Sequence, residues 1–263
     1  MQRRRFLSVA ATTAGGLGFG SATTVATDAA PPSRPMRFYS AASQLAADYT
    51  PLSDPTIPVV WAESTASNAG SSRGVGYDGP IPLVSVDGAV AGFGAMLVPD
   101  AGRFDASENF EYHNAEAVLG IWDALLDGGD VRWDESHGQY WNLEKFERFA
   151  ALAADRGYDV APASAIDGRT LADAAGLVIT TPPRALEPAE LDALAAFVAD
   201  GGALFLHDQA DFRGLDATAH LNAIAERLDL AFRFNADGVV DETHNAGAEF
   251  APLTARYAGP LVR

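Results

Sequence analysis

Three stretches set residues capable of chemistry directly behind short apolar runs: Val131-Arg132-Trp133-Asp134-Glu135-Ser136-His137-Gly138-Gln139-Tyr140-Trp141, Leu177-Val178-Ile179-Thr180-Thr181 and Leu204-Phe205-Leu206-His207-Asp208. An apolar run that ends in a dense polar set has the pattern of a buried strand at its C-terminal end, where open α/β sheets bind ligands. Side by side, the three ends would bring Asp134, Glu135, His137, Gln139, Tyr140, Thr180, Thr181, His207, Asp208 and, just beyond, Asp211 into one crevice, a set suited to a polar small molecule or a carbohydrate. Carboxylates crowding two imidazoles favour the charged ring, so both histidines are expected to titrate above about 6.5. Asp134 or Glu135 with Asp208 would make an acid and base pair for hydrolysis. Imidazole and carboxylate donors also suit a metal, but no recognised ligand spacing is present, so neither a metal centre nor a cofactor is expected. Ser136 beside His137 is not a triad, and no Gly-x-Ser-x-Gly elbow occurs, so no catalytic residue is assigned. Trp133, Tyr140 and Trp141 are rings on which a sugar could stack.

The elements that must position these groups follow from spacing. Asp87-Gly88 between Leu83–Val86 and Ala89–Gly94 is a two-residue hairpin signal. A helix with Ala117, Val118, Ile121, Trp122 and Leu125 on one face follows, with Asn114 as the expected cap and Gly128-Gly129 as its end. From Val131 onward strands and helices alternate. Asn142 is placed to cap a helix carrying Phe146, Phe149, Ala150 and Ala153, and Tyr158–Val160 is a short strand. Pro188 begins a helix with Leu191, Leu194, Ala195 and Val198, Leu221–Leu228 is another, and Ala231–Phe234 is a last strand. That alternation predicts a flavodoxin-like α/β fold, a parallel sheet with helices on both faces in three layers. The organisation expected is a signal over 1–30, a linker and irregular segment over 31–80, a hairpin with a helix over 81–130 and an α/β domain over 131–263. The tail from Phe250, with Pro252, Gly259 and Pro260, is expected to be loosely held.

Composition limits the function. There are 35 acids against 18 bases, a formal charge of −17, and Lys145 is the only lysine. Such a surface lacks the basic clusters that track phosphate, so nucleic acid is excluded as a partner. With no cysteine in the chain, disulfides, thiol nucleophiles and Cys-ligated zinc are excluded as well. Gln2-Arg3-Arg4-Arg5-Phe6-Leu7-Ser8 resembles a twin-arginine export motif. The weakly apolar run after it holds four glycines, too poor a span to remain in a membrane, and Thr24-Val25-Ala26 suits cleavage. The expected location is extracellular or at the cell surface, and the acid-rich, lysine-poor balance resembles that of proteins from salt-loving archaea.

Leu186-Glu187-Pro188-Ala189-Glu190-Leu191 and Phe197-Val198-Ala199-Asp200-Gly201-Gly202-Ala203-Leu204-Phe205-Leu206-His207-Asp208, with Ser136-His137-Gly138 after the first strand, resemble the class I glutamine amidotransferase-like superfamily. The most similar branch is cysteine-less and includes trehalose-utilisation-type proteins and the auxiliary domains of gliding-motility and intraflagellar-transport proteins. The resemblance covers about residues 131–240. It implies a domain without the superfamily's cysteine chemistry, which binds a polar ligand or serves as an accessory module. A hydrolase using the strand-end Asp, Glu and His residues and a pure protein–protein interaction module are the alternatives. Ala89–Leu126 is similar to the closing part of such a domain although it comes first. It either completes the same sheet out of order or is left from a preceding repeat, and the former is favoured because about 95 residues make a thin independent core.

Overall fold

The computed structural model describes residues 34–69, 73–101, 106–210, 218–258 and 261. The expected export signal and Asp211 lie outside the described residues. Where the sequence suggests irregular chain, four short strands form: β1 (Met36–Arg37), β2 (Gln44–Ala46), β3 (Pro58–Trp61) and β4 (Ser67–Ala69). Met36, Phe38, Ala41 and Ala42 in this segment are fully buried, so it is core rather than linker. The hairpin β5 (Pro82–Asp87) and β6 (Val90–Phe93) turns where expected. Gly88 there takes φ +58°, a backbone region that a side chain disfavours.

Helix α1 (Asn114–Leu125) buries the predicted face, but Asn114 does not cap it. Asn114 is fully buried and its amide ties down the N-terminal segment, accepting from the Arg37 N–H at 2.8 Å and donating to the carbonyls of Arg37 and Leu97 at 2.7 Å each. Then come β7 (Gly129–Asp134), a 3₁₀ turn over Leu143–Lys145, α2 (Glu147–Ala154), β8 (Tyr158–Ala163) and the four-residue α3 (Gly168–Leu171). Asn142 heads the 3₁₀ turn without a side-chain cap, and its amide oxygen instead accepts from Lys145 Nζ at 2.7 Å. The remaining elements are β9 (Gly176–Thr180), α4 (Pro188–Ala199), β10 (Ala203–His207), α5 (Thr218–Arg227), β11 (Phe232–Phe234), β12 (Gly238–Val240), β13 (Leu253–Thr254) and β14 (Arg256–Tyr257).

One eight-stranded sheet runs β14-β3-β5-β6-β10-β9-β7-β8. The five strands from β6 to β8 are parallel and the three at the other edge antiparallel. Counted from β7, the neighbours β8, β7, β9 and β10 stand in the order 2-1-3-4, which is the flavodoxin-like arrangement. Position five is filled by β6, from earlier in the chain, pairing in parallel with β10 through Leu204↔Val90 to His207↔Phe93. The strand expected last, β11, lies outside this sheet and pairs antiparallel with β2. The expected tail is also more ordered than its composition suggests, because β13 pairs with β1 and β14 extends the sheet edge beside β3.

Apolar side chains alternate across the sheet into two cores. Val131, Trp133, Val178, Phe205 and Phe93 face α1 and α2, packing on Trp122 and Phe149. Leu177, Ile179, Leu204 and Leu206 face α4 and α5, packing on Leu194, Phe197, Leu221 and Ile224. Leu204, Phe205 and Leu206 are all fully buried, as a strand covered on both faces requires.

Candidate functional site

The end of β7 folds around one buried carboxylate. Asp134, 0% exposed, accepts four hydrogen bonds: from the Ser136 N–H at 2.9 Å and its hydroxyl at 2.6 Å on Oδ1, and from His137 Nδ1 at 2.9 Å and the Gln139 amide on Oδ2. An ionised carboxylate has about four lone-pair sites, so Asp134 is saturated. The His137 N–H in turn donates to Gln139 Oε1 at 3.0 Å, and Gly138 takes φ +76° to close the turn. His137 reaches across to α4, where its Nε2 lies 3.1 Å from Glu190 Oε2. That same oxygen accepts the Glu187 N–H at 2.7 Å in the capping box that starts α4. Both ring nitrogens of His137 therefore face carboxylate oxygens.

This arrangement removes the serine reading. The single proton of the Ser136 hydroxyl goes to Asp134, and its oxygen lies 2.9 Å from His137 Nδ1, whose own proton is committed to the cluster. A general base would need a lone pair at that nitrogen.

His207 stands elsewhere. Strand alternation turns Asp134 toward the α4 side of the sheet, since Trp133 faces α1 and α2, whereas His207 shares the α1 and α2 side with Phe205. Its ring stacks on Phe93 with centroids 4.3 Å apart, and Nδ1 donates to the Ala95 carbonyl at 3.3 Å. Burial pushes its pKa down to about 4, only partly opposed by that carbonyl. The expectation of a raised value is overturned for this residue, because its surroundings are a phenyl ring and a carbonyl rather than carboxylates. Asp208 is buried and accepts from the Thr218 hydroxyl at 3.0 Å.

The gap between the ends of β7 and β9 is occupied by the chain itself. The Trp141 carbonyl accepts from Trp133 Nε1 at 3.0 Å and from the Thr180 hydroxyl at 2.9 Å. The Trp141 indole N–H donates to Gln209 Oε1 at 3.0 Å. The Thr181 N–H bonds the His207 carbonyl at 2.9 Å. Glu135 accepts the Leu143 N–H at 2.9 Å and lines a shallow cleft with Asn142, Glu144 and Glu147. Tyr140 is 57% exposed, with Lys145 Nζ 4.6 Å from its ring centre. The structure thus joins Asp134, His137 and Gln139, adds Ser136 and Glu190, and holds His207 and Asp208 with partners of their own. Glu190 stood in the sequence only within the stretch that carries the superfamily resemblance, with no role assigned; its bond to His137 depends on how α4 docks. Among the described residues, no group of three or more His, Asp or Glu side chains is disposed to hold a metal, and no helix is long and apolar enough to cross a membrane.

No protein-family model matches the chain, and no curated protein matches it. Two solved structures of IMPa from Pseudomonas aeruginosa superpose on it loosely. One, in complex with an O-glycopeptide, is 13% identical with a TM-score of 0.45. The other, the IMPa metallopeptidase, is 12% identical with a TM-score of 0.44. Each alignment covers 86% of this chain and 22% of the other, so the chain spans about a fifth of that protein's length. At this level of similarity neither the peptidase activity nor the glycopeptide ligand transfers to this chain.

Proposed function

We propose that the chain is an exported accessory domain, amidotransferase-like in descent, that performs no chemistry of its own. The observation that carries this reading is the state of the sheet end where ligands bind in such folds. Asp134 is saturated, both nitrogens of His137 are taken, and Trp141 fills the space between β7 and β9. A working acid or base needs an accessible atom within reach of substrate. The cluster serves as a structural clamp between the β7 loop and α4. The absence of cysteine supports the same reading, and Arg3-Arg4-Arg5 supports export.

Two measurements test it. Purified protein assayed against glycosidase, esterase and peptidase substrates should be inactive; turnover that His137→Gln abolishes without loss of fold would overturn the proposal. Replacing Arg3 and Arg4 together by Lys should retain the precursor inside the cell, and unchanged secretion would remove the export argument.

A further inference from the structure

The sheet end is closed, but a groove of about 430 Å³ lies on the other edge of the molecule, between the loops before β3 and before β5. Its volume is within the range of about 300–1,000 Å³ typical of small-molecule sites. Six of its twelve lining residues carry rings: Trp61, Tyr77, Pro51, Pro55, Pro58 and Pro80. The polar lining includes Asp54 and Asp78, and no Lys, Arg or His contributes.

The walls are rigid for identifiable reasons. Tyr77 is pinned by its hydroxyl, which donates to the Gln44 carbonyl and accepts the Leu52 N–H at 2.8 Å, while its own N–H bonds Asn68 Oδ1 at 2.8 Å. Burial of that hydroxyl end pushes its pKa up to about 12, so the phenol stays neutral and fixed. Each proline has φ locked by its ring. Strand β3 departs from regular pairing with β5 twice within four residues, between Pro58 and Val60 and again between Val60 and Trp61. Irregularities of this kind re-aim side chains and cluster beside binding sites. Here they accompany a half-buried Trp61 lining the groove beside a fully buried Val60. Among the described residues the Trp61 indole N–H has no protein acceptor. Asp54 is held ionised by hydrogen bonds from the Thr56 hydroxyl and N–H.

We propose that this groove binds a neutral oligosaccharide. The prolines offer carbonyls without N–H groups and the two carboxylates only accept, while the Trp61 indole and the Ser53 hydroxyl can donate, so the lining suits a ligand that brings donors and acceptors together. Sugar hydroxyls are donors, and the C–H faces of pyranose rings stack on Trp and Tyr. A polyproline peptide brings carbonyl acceptors for the Trp61 indole but no backbone N–H for the two carboxylates, and so meets only half of this lining. Acidic sugars and phosphates meet two carboxylates and no cation. A quaternary ammonium ligand calls for a cage of several aromatic faces, whereas Trp61 and Tyr77 are the two aromatic side chains of this lining. Immobile walls lower the entropy lost on binding.

The inference rests on the reading of the chain as an accessory domain without catalysis and gives it a ligand, and the experiment separates the two. Calorimetric titration with a panel of neutral trisaccharides, a uronic acid trimer and a Pro-Arg peptide should find binding in the millimolar range or tighter for a neutral sugar alone. Trp61→Ala should weaken it at least about tenfold and Trp61→Phe much less. Asp78→Arg, an exposed change that leaves the core untouched, should abolish it while the circular dichroism spectrum stays the same. The site is overturned if no neutral sugar binds below ~10 mM, if Asp78→Arg and Trp61→Ala leave the affinity unchanged, or if the uronate or the basic peptide binds in preference. Binding followed by cleavage of the sugar would uphold the site and overturn the non-catalytic reading instead.

Discussion

Two histidines at the ends of buried strands, one three residues beyond β7 and one closing β10, differ in what their rings touch. His137 is held between Asp134 and Glu190, whereas His207 lies flat on Phe93. The pKa of His207, lowered by burial from 6.5 to about 4, links stability to pH. Above pH 6.5 the ring is neutral folded or unfolded and costs nothing. Between 6.5 and about 4 the unfolded chain takes up a proton that the folded one refuses, so stability falls as pH falls, by about 3 kcal/mol in all. His207→Phe keeps the stacking and removes the titration. Denaturant unfolding at pH 7 and pH 4 should show the wild type losing about 3 kcal/mol more than the variant; equal losses would mean that the ring is charged in the fold. The residue types of the candidate site were legible in the sequence, but their convergence was not. Pairing sets Val178 beside Trp133 and Thr180 beside His207, so Asp134 points to the opposite face from His207. A shift of one residue in that register would have reversed the outcome, and nothing in the separate strands fixes it.

Among the elements, those with long periodic patterns were readable and those built by pairing were not. The central strand and the helix that begins at Pro188 were plain in sequence; α3, four residues started by Asp167, is too short to show a period. β11 reads as a sheet strand because Phe232 and Phe234 alternate, but the place it would take is filled by β6. Phe205, fully buried against Trp122 at 5.0 Å between ring centres, carries the central strand's contribution to the α1 core. Phe205→Ala should lower the unfolding free energy by about 3–5 kcal/mol through lost burial and a residual cavity. An unchanged denaturant midpoint would displace this strand from the core. The junction of β7 with α4 calls for a different comparison. Glu187→Ala removes only a helix cap, worth about 1 kcal/mol, whereas Glu190→Ala removes both the cap's return bond and the second carboxylate on His137. The cost of Glu190→Ala should therefore be larger, about 2–3 kcal/mol, since a buried ring nitrogen is left without its hydrogen-bond partner. In the His137→Ala background the extra cost of Glu190→Ala should vanish, and a full cost there would show that the clamp contributes nothing.

At the scale of the whole molecule, strand order and chain order disagree in a way that can be undone. β6 and α1 occupy the fifth position of a flavodoxin-like sheet but precede the first four in sequence. The two ends of the described chain lie together: Met36 pairs with Thr254, and the Tyr257 hydroxyl bonds the Arg34 carbonyl. The turn after α1 is open, with Asp127 exposed, and the nearest backbone bonds, Leu126 N–H to Trp122 and Gly129 N–H to Gly157, lie on either side of the 127–128 peptide. Joining residue 258 to residue 34 by about six Gly and Ser residues and opening the chain between Asp127 and Gly128 would yield β7 to α5 first and β5, β6 and α1 last. The fifth position would then follow the other four in sequence, as it does across the parallel half of the sheet. Every strand pair survives this change, and only an exposed turn is cut, which is where permuted chains tolerate new ends. The permuted protein should unfold in one cooperative transition, within about 1–2 kcal/mol of the parent. Had the hairpin and α1 been the remnant of a separate repeat, moving them to the other end would leave β10 without its parallel neighbour. The permuted protein would then lose its cooperative transition and expose Val90, Ala91 and Phe93, which an apolar dye would report. A permutant that binds the dye and melts broadly would count against one continuous sheet.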